Sequence, residues 1–245
     1  MKLIDAHCHL ANLADVMPLN PLLQEAEKQD ISRFVSSVLR KSEAVWHIQN
    51  PDERIIYSAG IHPNFEECDL DLELINQLCR DKRIWAIGEI GLDHGNRLLV
   101  WQREIFASQL ELATSYKLPV VLHIVGHQSE AYTTLRKYPL SYLVHGYAGS
   151  VEGFIQLAKL DSVFTISSRI MKEDKRDLLK AMLSYKRIMF ETDITQYYVQ
   201  EGESNPLLRL WTVVKTCSQL SGIKVQNLLK LQAESARQLL PRELG

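Results

Sequence analysis

Short apolar runs recur along this chain, and most are separated by enough sequence for one helix. That alternation restricts the fold more than any other feature. The runs are Lys2–Asp5, Arg33–Leu39, Ile55–Ile61, Ile84–Ile90, Pro119–Ile124, Tyr142–His145, Ser162–Ser167 and Arg187–Glu191. They are nearly continuous in apolar character, as strands buried on both faces should be. Between them lie stretches of helical periodicity: Pro21–Gln29, Asp71–Cys79, Trp101–Tyr116, Glu130–Tyr138, Val151–Leu160 and Lys175–Leu183. In Trp101–Tyr116 the apolar residues Ile105, Phe106, Leu110, Leu112 and Ala113 repeat at three- and four-residue spacing. The pattern predicts an α/β fold, a single (β/α)8 barrel of TIM type over residues 1–245, with Leu207–Ser218 and Val225–Leu240 as extra C-terminal helices. A doubly wound sheet is the rival. No G-x-G-x-x-G follows the first run, which removes the dinucleotide-binding form of that rival.

Bulk properties narrow the function. With 46% hydrophobic and 24% charged residues the chain has material for a large core and little for long disorder. A net charge of −2 gives no global attraction for polyanions, so any nucleic-acid contact has to be local. The four cysteines form no CxxC pair, and reduced thiols are expected. The opening MKLIDAHCHL has no apolar signal region, and no 18-residue apolar run occurs anywhere; a cytoplasmic protein is the expectation.

The chemistry gathers where the runs end. In Asp5-Ala6-His7-Cys8-His9, side chains two apart on extended backbone share a side, so His7 and His9 can grip one ion. The third run delivers His62 in Gly60-Ile61-His62-Pro63, and the fourth delivers Glu89 and Asp93 in Gly88-Glu89-Ile90-Gly91-Leu92-Asp93. The fifth ends at His123, the sixth at His145, and the eighth delivers Glu191 and Asp193. In a parallel barrel these ends meet at one face, where barrel active sites lie. Asp93 is placed to orient a ligand histidine, His62 either to meet substrate or to order its turn, and His47, on a helical stretch, to be a plain surface residue.

These motifs, with Gln102, Leu118–His123, His145-Gly146-Tyr147-Ala148-Gly149, Glu191-Thr192-Asp193 and Glu234-Ser235-Ala236, resemble the TatD family of metal-dependent DNases and related hydrolases, in order and approximate spacing over nearly the whole chain. The resemblance implies two adjacent divalent ions, zinc, manganese or magnesium. His7, His9 and Asp193 would serve one, His123 and His145 the other, and Glu89 would bridge them. Asp193 can also accept a proton from the water the ions would share, since carboxylates near metals double as general bases, and Glu89, Asp193 and His62 are the expected catalytic residues, with the role of His62 open as above.

Substrate recognition departs from the family pattern. The Arg usually found two residues after His123 is missing from His123-Ile124-Val125-Gly126-His127, and the Ser-Pro after Asp193 is replaced by Ile194-Thr195. The next loop reads Gly202-Glu203-Ser204-Asn205-Pro206 in place of a basic segment. Arg169, Lys172 and Arg97 remain as possible phosphate contacts, and His94 and His127 lie in loops near the face. The leading expectation is a deoxyribonuclease or phosphodiesterase acting on single strands or strand ends of DNA, or on a small phosphoester. The alternatives are a hydrolase of C–N or ester bonds in small molecules, and a metal-binding subunit of a larger assembly.

Overall fold

Eight parallel strands close into a barrel in chain order, β1 through β8, with β1 returning to β8 at Asp5 opposite Phe190. The computed structural model describes residues 2–95 and 97–241. The strands are β1 (Leu3–Cys8), β2 (Ile31–Val38), β3 (Ile55–Ala59), β4 (Ile87–Asp93), β5 (Val120–Val125), β6 (Tyr142–Val144), β7 (Ser162–Ile166) and β8 (Ile188–Phe190). The expected barrel is therefore present. The largest boundary error is at β4, which starts three residues later than Ile84 and runs on to Asp93, so Glu89 lies inside a strand and not near its end. In the same way β1 runs on to Cys8 and takes in His7.

The helices are α1 (Leu10–Leu13), α2 (Leu19–Lys28), α3 (Lys41–Gln49), α4 (Leu72–Arg80), α5 (Leu99–Tyr116), α6 (Gln128–Leu135), α7 (Val151–Leu157), α8 (Arg176–Tyr185), α9 (Arg209–Ser221) and α10 (Val225–Leu239). Helix α4 starts because the Asp71 side chain accepts the Leu74 N–H at 2.8 Å. Helix α9 stops at Gly222, which takes a positive φ of 71°. Among the described residues no helix is long and apolar enough to cross a membrane. The four cysteines are unpaired.

Strand alternation divides the core. One set of side chains, including Val120, Leu122, Tyr142, Val144, Phe164 and Ile166, packs outward with the helices. The other set, Ile4, Val35, Val121, Leu143, Val163 and Met189, packs with Leu239 and Leu240 at the end of α10. This second set fills the barrel interior. Two residues further along the same side come His123 after Val121, His145 after Leu143, Thr165 after Val163 and Glu191 after Met189. The barrel is thus floored by apolar side chains and polar at its C-terminal end, where the ligand-type residues stand.

His47 is not a surface residue. It is 5% exposed, stacks on Tyr57 at 4.5 Å and has its Nε2 3.2 Å from the Ser36 hydroxyl. Helix α3 turns this face onto β2 and β3, which a weakly periodic stretch did not reveal.

Candidate metal centre

Glu89 stands at the centre of the polar layer, 2% exposed, and its two carboxylate oxygens face different groups. Oε1 lies 3.2 Å from His7 Nε2 and 3.2 Å from His9 Nε2. Oε2 lies 2.8 Å from His145 Nε2, 3.7 Å from His123 Nδ1 and 3.7 Å from His62 Nε2. Asp193 Oδ1 completes the first group, 3.7 Å from His7 and 3.5 Å from His9. All six residues expected to be ligands, with His62, are therefore gathered around one carboxylate.

Local backbone explains several placements. Gly91 takes a φ of +151°, and a Cβ there would fall 1.9 Å from the His123 carbonyl oxygen; only glycine lets β4 lie against β5 this closely. Asp193 takes a φ of 54°, a left-handed conformation that Asp tolerates, while its N–H donates to the His7 carbonyl at 3.0 Å. The turn that carries it is tied to β1, because Asp5 accepts from the Thr192 N–H at 3.0 Å and from the Thr192 hydroxyl at 2.6 Å.

The hydrogen bonds set the histidine tautomers. His123 Nε2 lies 2.7 Å from Asp93 Oδ2, so it carries the proton and donates, leaving the Nδ1 lone pair turned toward Glu89 and His145. Asp93 thus does for His123 what its position predicts. His62 differs: its Nδ1 accepts from the N–H groups of Asn64 and Phe65, each at 2.9 Å. Burial pushes its pKa down to about 3, so the ring is neutral and its proton sits on Nε2, pointing at the site. His62 presents a hydrogen-bond donor there and has no free lone pair for a cation.

Charge in the layer is strongly tuned. Burial works against ionisation of Glu89, but His145, His7 and His9 hold its carboxyl well below the usual range. Asp193 is held below its usual value in the same way, burial being outweighed by the His9 hydrogen bond and by His145, His7 and Arg169, whose guanidinium is 2.6 Å from Oδ2. Glu191 goes the other way: complete burial and the neighbouring Asp193 raise its pKa well above the carboxylate range.

His7 Nε2, Glu89 Oε1 and His145 Nδ1 are buried atoms with no hydrogen-bond partner among the described residues. Such groups are costly when unpaired. Imidazole and carboxylate donors converging from His7, His9 and Glu89, and from His7, His145 and Asp193, lie within the span of a cation site; Glu89 and His123 form a third close group with His62, which presents its N–H there and not a lone pair. Imidazole with carboxylate is a donor set suited to zinc and related divalent ions, so the residues fit a metal.

The centre opens into a cavity of about 320 Å³ lined by Asn12, Leu39, Glu43, Asn64, Phe65, Arg169, Thr195, Tyr197 and Tyr198 in addition to the polar layer. Arg169 is at the mouth as expected, fitted over Gly146, where a Cβ would come within 2.9 Å of the guanidinium. Lys172 is exposed and does not line the cavity. Arg97 donates to the carbonyls of Phe65 and Glu66 and lies over the Trp101 ring, so it is occupied. The His94 side chain is 70% exposed, and His127 begins α6. Phe65, Tyr197 and Tyr198 went unrecognised in the sequence because loop residues have no periodicity to mark them.

The family model described as TatD related DNase matches residues 4–241. An uncharacterized metal-dependent hydrolase of Haemophilus influenzae is 29% identical, over 98% of this chain and 99% of its own length. The human deoxyribonuclease TATDN3 is 23% identical, over 98% of this chain and 95% of its own length. Among solved structures, YjjV, a TatD homolog from Escherichia coli K12, superposes with a TM-score of 0.83 at 22% identity and 97% coverage of both chains. The chain belongs to the TatD-related DNase family, as a metal-dependent hydrolase built on a closed parallel barrel.

Proposed function

We propose that the protein is a phosphodiesterase that cleaves single-stranded DNA or strand ends at a binuclear divalent-metal centre. The observation that carries this reading is the division of Glu89, one oxygen facing His7, His9 and Asp193 and the other facing His123 and His145. A carboxylate so placed is suited to bridge two cations. When bound, a pair of divalent ions supplies an acidified water and neutralises charge on the phosphodiester oxygens.

The chain's own residues supply the rest. Asp193, anionic and buried, accepts the proton of the attacking water; its contact with Arg169 holds it in place. His62 donates from Nε2 to an oxygen of the substrate, its orientation fixed by the Asn64 and Phe65 amides. Arg169 offers its guanidinium to a phosphate oxygen at the mouth. The human relative's name, a deoxyribonuclease, supports DNA as substrate, and a cavity of about 320 Å³ favours a strand end over the middle of a duplex.

The scarcity of free cations at the mouth favours a second reading, hydrolysis of an amide or ester in a small molecule. The test is to incubate the metal-reconstituted protein with end-labelled single strands, duplexes, phosphoesters, amides and lactones, with Asp193→Asn as the blank. Metal-dependent cleavage of single strands, weaker on blunt duplex and at least a hundredfold slower in Asp193→Asn, is expected, roughly the contribution of a positioned proton acceptor. Cleavage of amides or lactones with oligonucleotides untouched contradicts the phosphodiesterase reading.

A further inference from the structure

We infer that the mouth of the site recognises a nucleobase by stacking, with Tyr197 and Tyr198 after β8 and Phe65 after β3 forming an aromatic rim beside the scissile phosphodiester. The inference rests on the phosphodiesterase reading above and names which part of the substrate these loops hold.

Four observations carry it. First, the three rings line the same cavity as Glu89, His123 and Asp193. Second, Tyr197 and Tyr198 are 58% and 55% exposed, whereas Tyr142, Tyr147, Phe34, Phe106, Phe164 and Phe190 are fully buried. Exposing two adjacent rings at the entrance to a polar centre needs a reason that core packing does not provide.

Third, the backbone that presents these rings is pinned. The Thr195 hydroxyl accepts the Tyr197 N–H at 3.2 Å, Asn12 Oδ1 accepts the Gln196 N–H at 2.8 Å, and Arg209 donates to the Tyr198 carbonyl at 2.9 Å. The Tyr197 hydroxyl also donates to Glu67 at 3.1 Å, tying this turn to the loop that carries Phe65. With the backbone of the turn and the Tyr197 ring held in this way, little freedom is lost when a flat ligand settles there.

Fourth, cations at the mouth are few. Arg40, which reaches Glu67, is already engaged by Asp15 and Glu43. Arg169 contacts Asp193 through Nη2 and has its other N–H groups to offer a phosphate, and Tyr198 lies beside it. Where phosphate attraction is weak, stacking on aromatic side chains provides affinity for single strands without regard to sequence. The residues that replace the family's Ser-Pro, Ile194 and Thr195, lead directly into this turn.

The test compares kcat/KM of the metal-reconstituted protein on a trinucleotide and on the same sugar–phosphate backbone with the bases removed. The wild type is expected to prefer the base-bearing strand by about tenfold or more, the worth of one or two stacked bases. Tyr197→Ala/Tyr198→Ala should reduce the preference to within about threefold, with the change in KM, and Phe65→Ala on the opposite loop should reduce it independently. Tyr197→Phe/Tyr198→Phe, which keeps the rings, should restore it. Equal cleavage of both backbones by the wild type, or a preference that survives both alanine variants, overturns this inference and leaves the phosphodiesterase reading standing. Cleavage of neither backbone overturns both.

Discussion

His47 shows how one residue links burial to acid sensitivity. Its ring lies against Tyr57, and the Ser36 hydroxyl, which accepts the Leu10 N–H at 3.1 Å, is free to donate its own proton to His47 Nε2. Burial pushes the His47 pKa down to about 4. Between the ordinary value of 6.5 and that value, the unfolded chain takes up a proton that the native protein refuses. Stability therefore falls as pH drops through this window, by about 3 kcal/mol for this residue. Denaturant unfolding at pH 7 and pH 4 should show His47→Phe losing less stability on acidification than wild type by about that amount. An equal loss in the two proteins would mean that His47 is protonated in the fold.

At the scale of the element, three strand ends are completed by glutamine side chains from the helices. On α5, Gln109 Oε1 accepts the Ile61 N–H at 2.7 Å, and Gln102 Oε1 accepts the Asp93 N–H at 2.8 Å while its Nε2 donates to the Asp93 carbonyl at 2.8 Å. On α10, Gln232 Oε1 accepts the Phe190 N–H at 3.1 Å. Gln102→Leu leaves both backbone groups of Asp93 unpaired in a buried setting, at a cost of about 2–3 kcal/mol in unfolding free energy. It should also weaken metal binding by about tenfold, because Asp93 orients His123. Unchanged stability together with unchanged metal affinity would show that Asp93 needs no such support. This scale also marks how far the sequence could be read. The eight strands and most helices were legible because apolar runs and three-to-four spacing record burial directly, and His7, His123 and His145 were legible because ligand-type residues recur at strand ends. The start of β4 was not, since Ile84, Trp85 and Ala86 are as buried as the strand that follows and the pattern has no edge there. The inward face of α3 and the aromatic rim depend on contacts between distant segments, which local periodicity does not encode.

For the whole molecule, the net charge of −2 and the scarcity of free cations at the mouth among the described residues make attraction to a phosphate backbone weak. If Arg169 is the main phosphate contact, as proposed, log KM for a short single strand should rise with log salt at a slope of about 0.7, the release of roughly one counterion. A slope of about 3 or more would reveal a basic surface that the cavity lining does not contain. The barrel brings strand ends together, and its central consequence is that Glu89 stands between two groups of ligand-type side chains, the arrangement proposed to bridge two ions. The most direct test is metal stoichiometry after reconstitution, by elemental analysis of wild type and Glu89→Ala with folding followed by circular dichroism. About two divalent ions per wild-type chain, falling to about one or fewer in folded Glu89→Ala, is the expected result. A wild-type stoichiometry near zero with the barrel intact, or one unchanged by loss of the Glu89 carboxylate, would contradict the bridged centre.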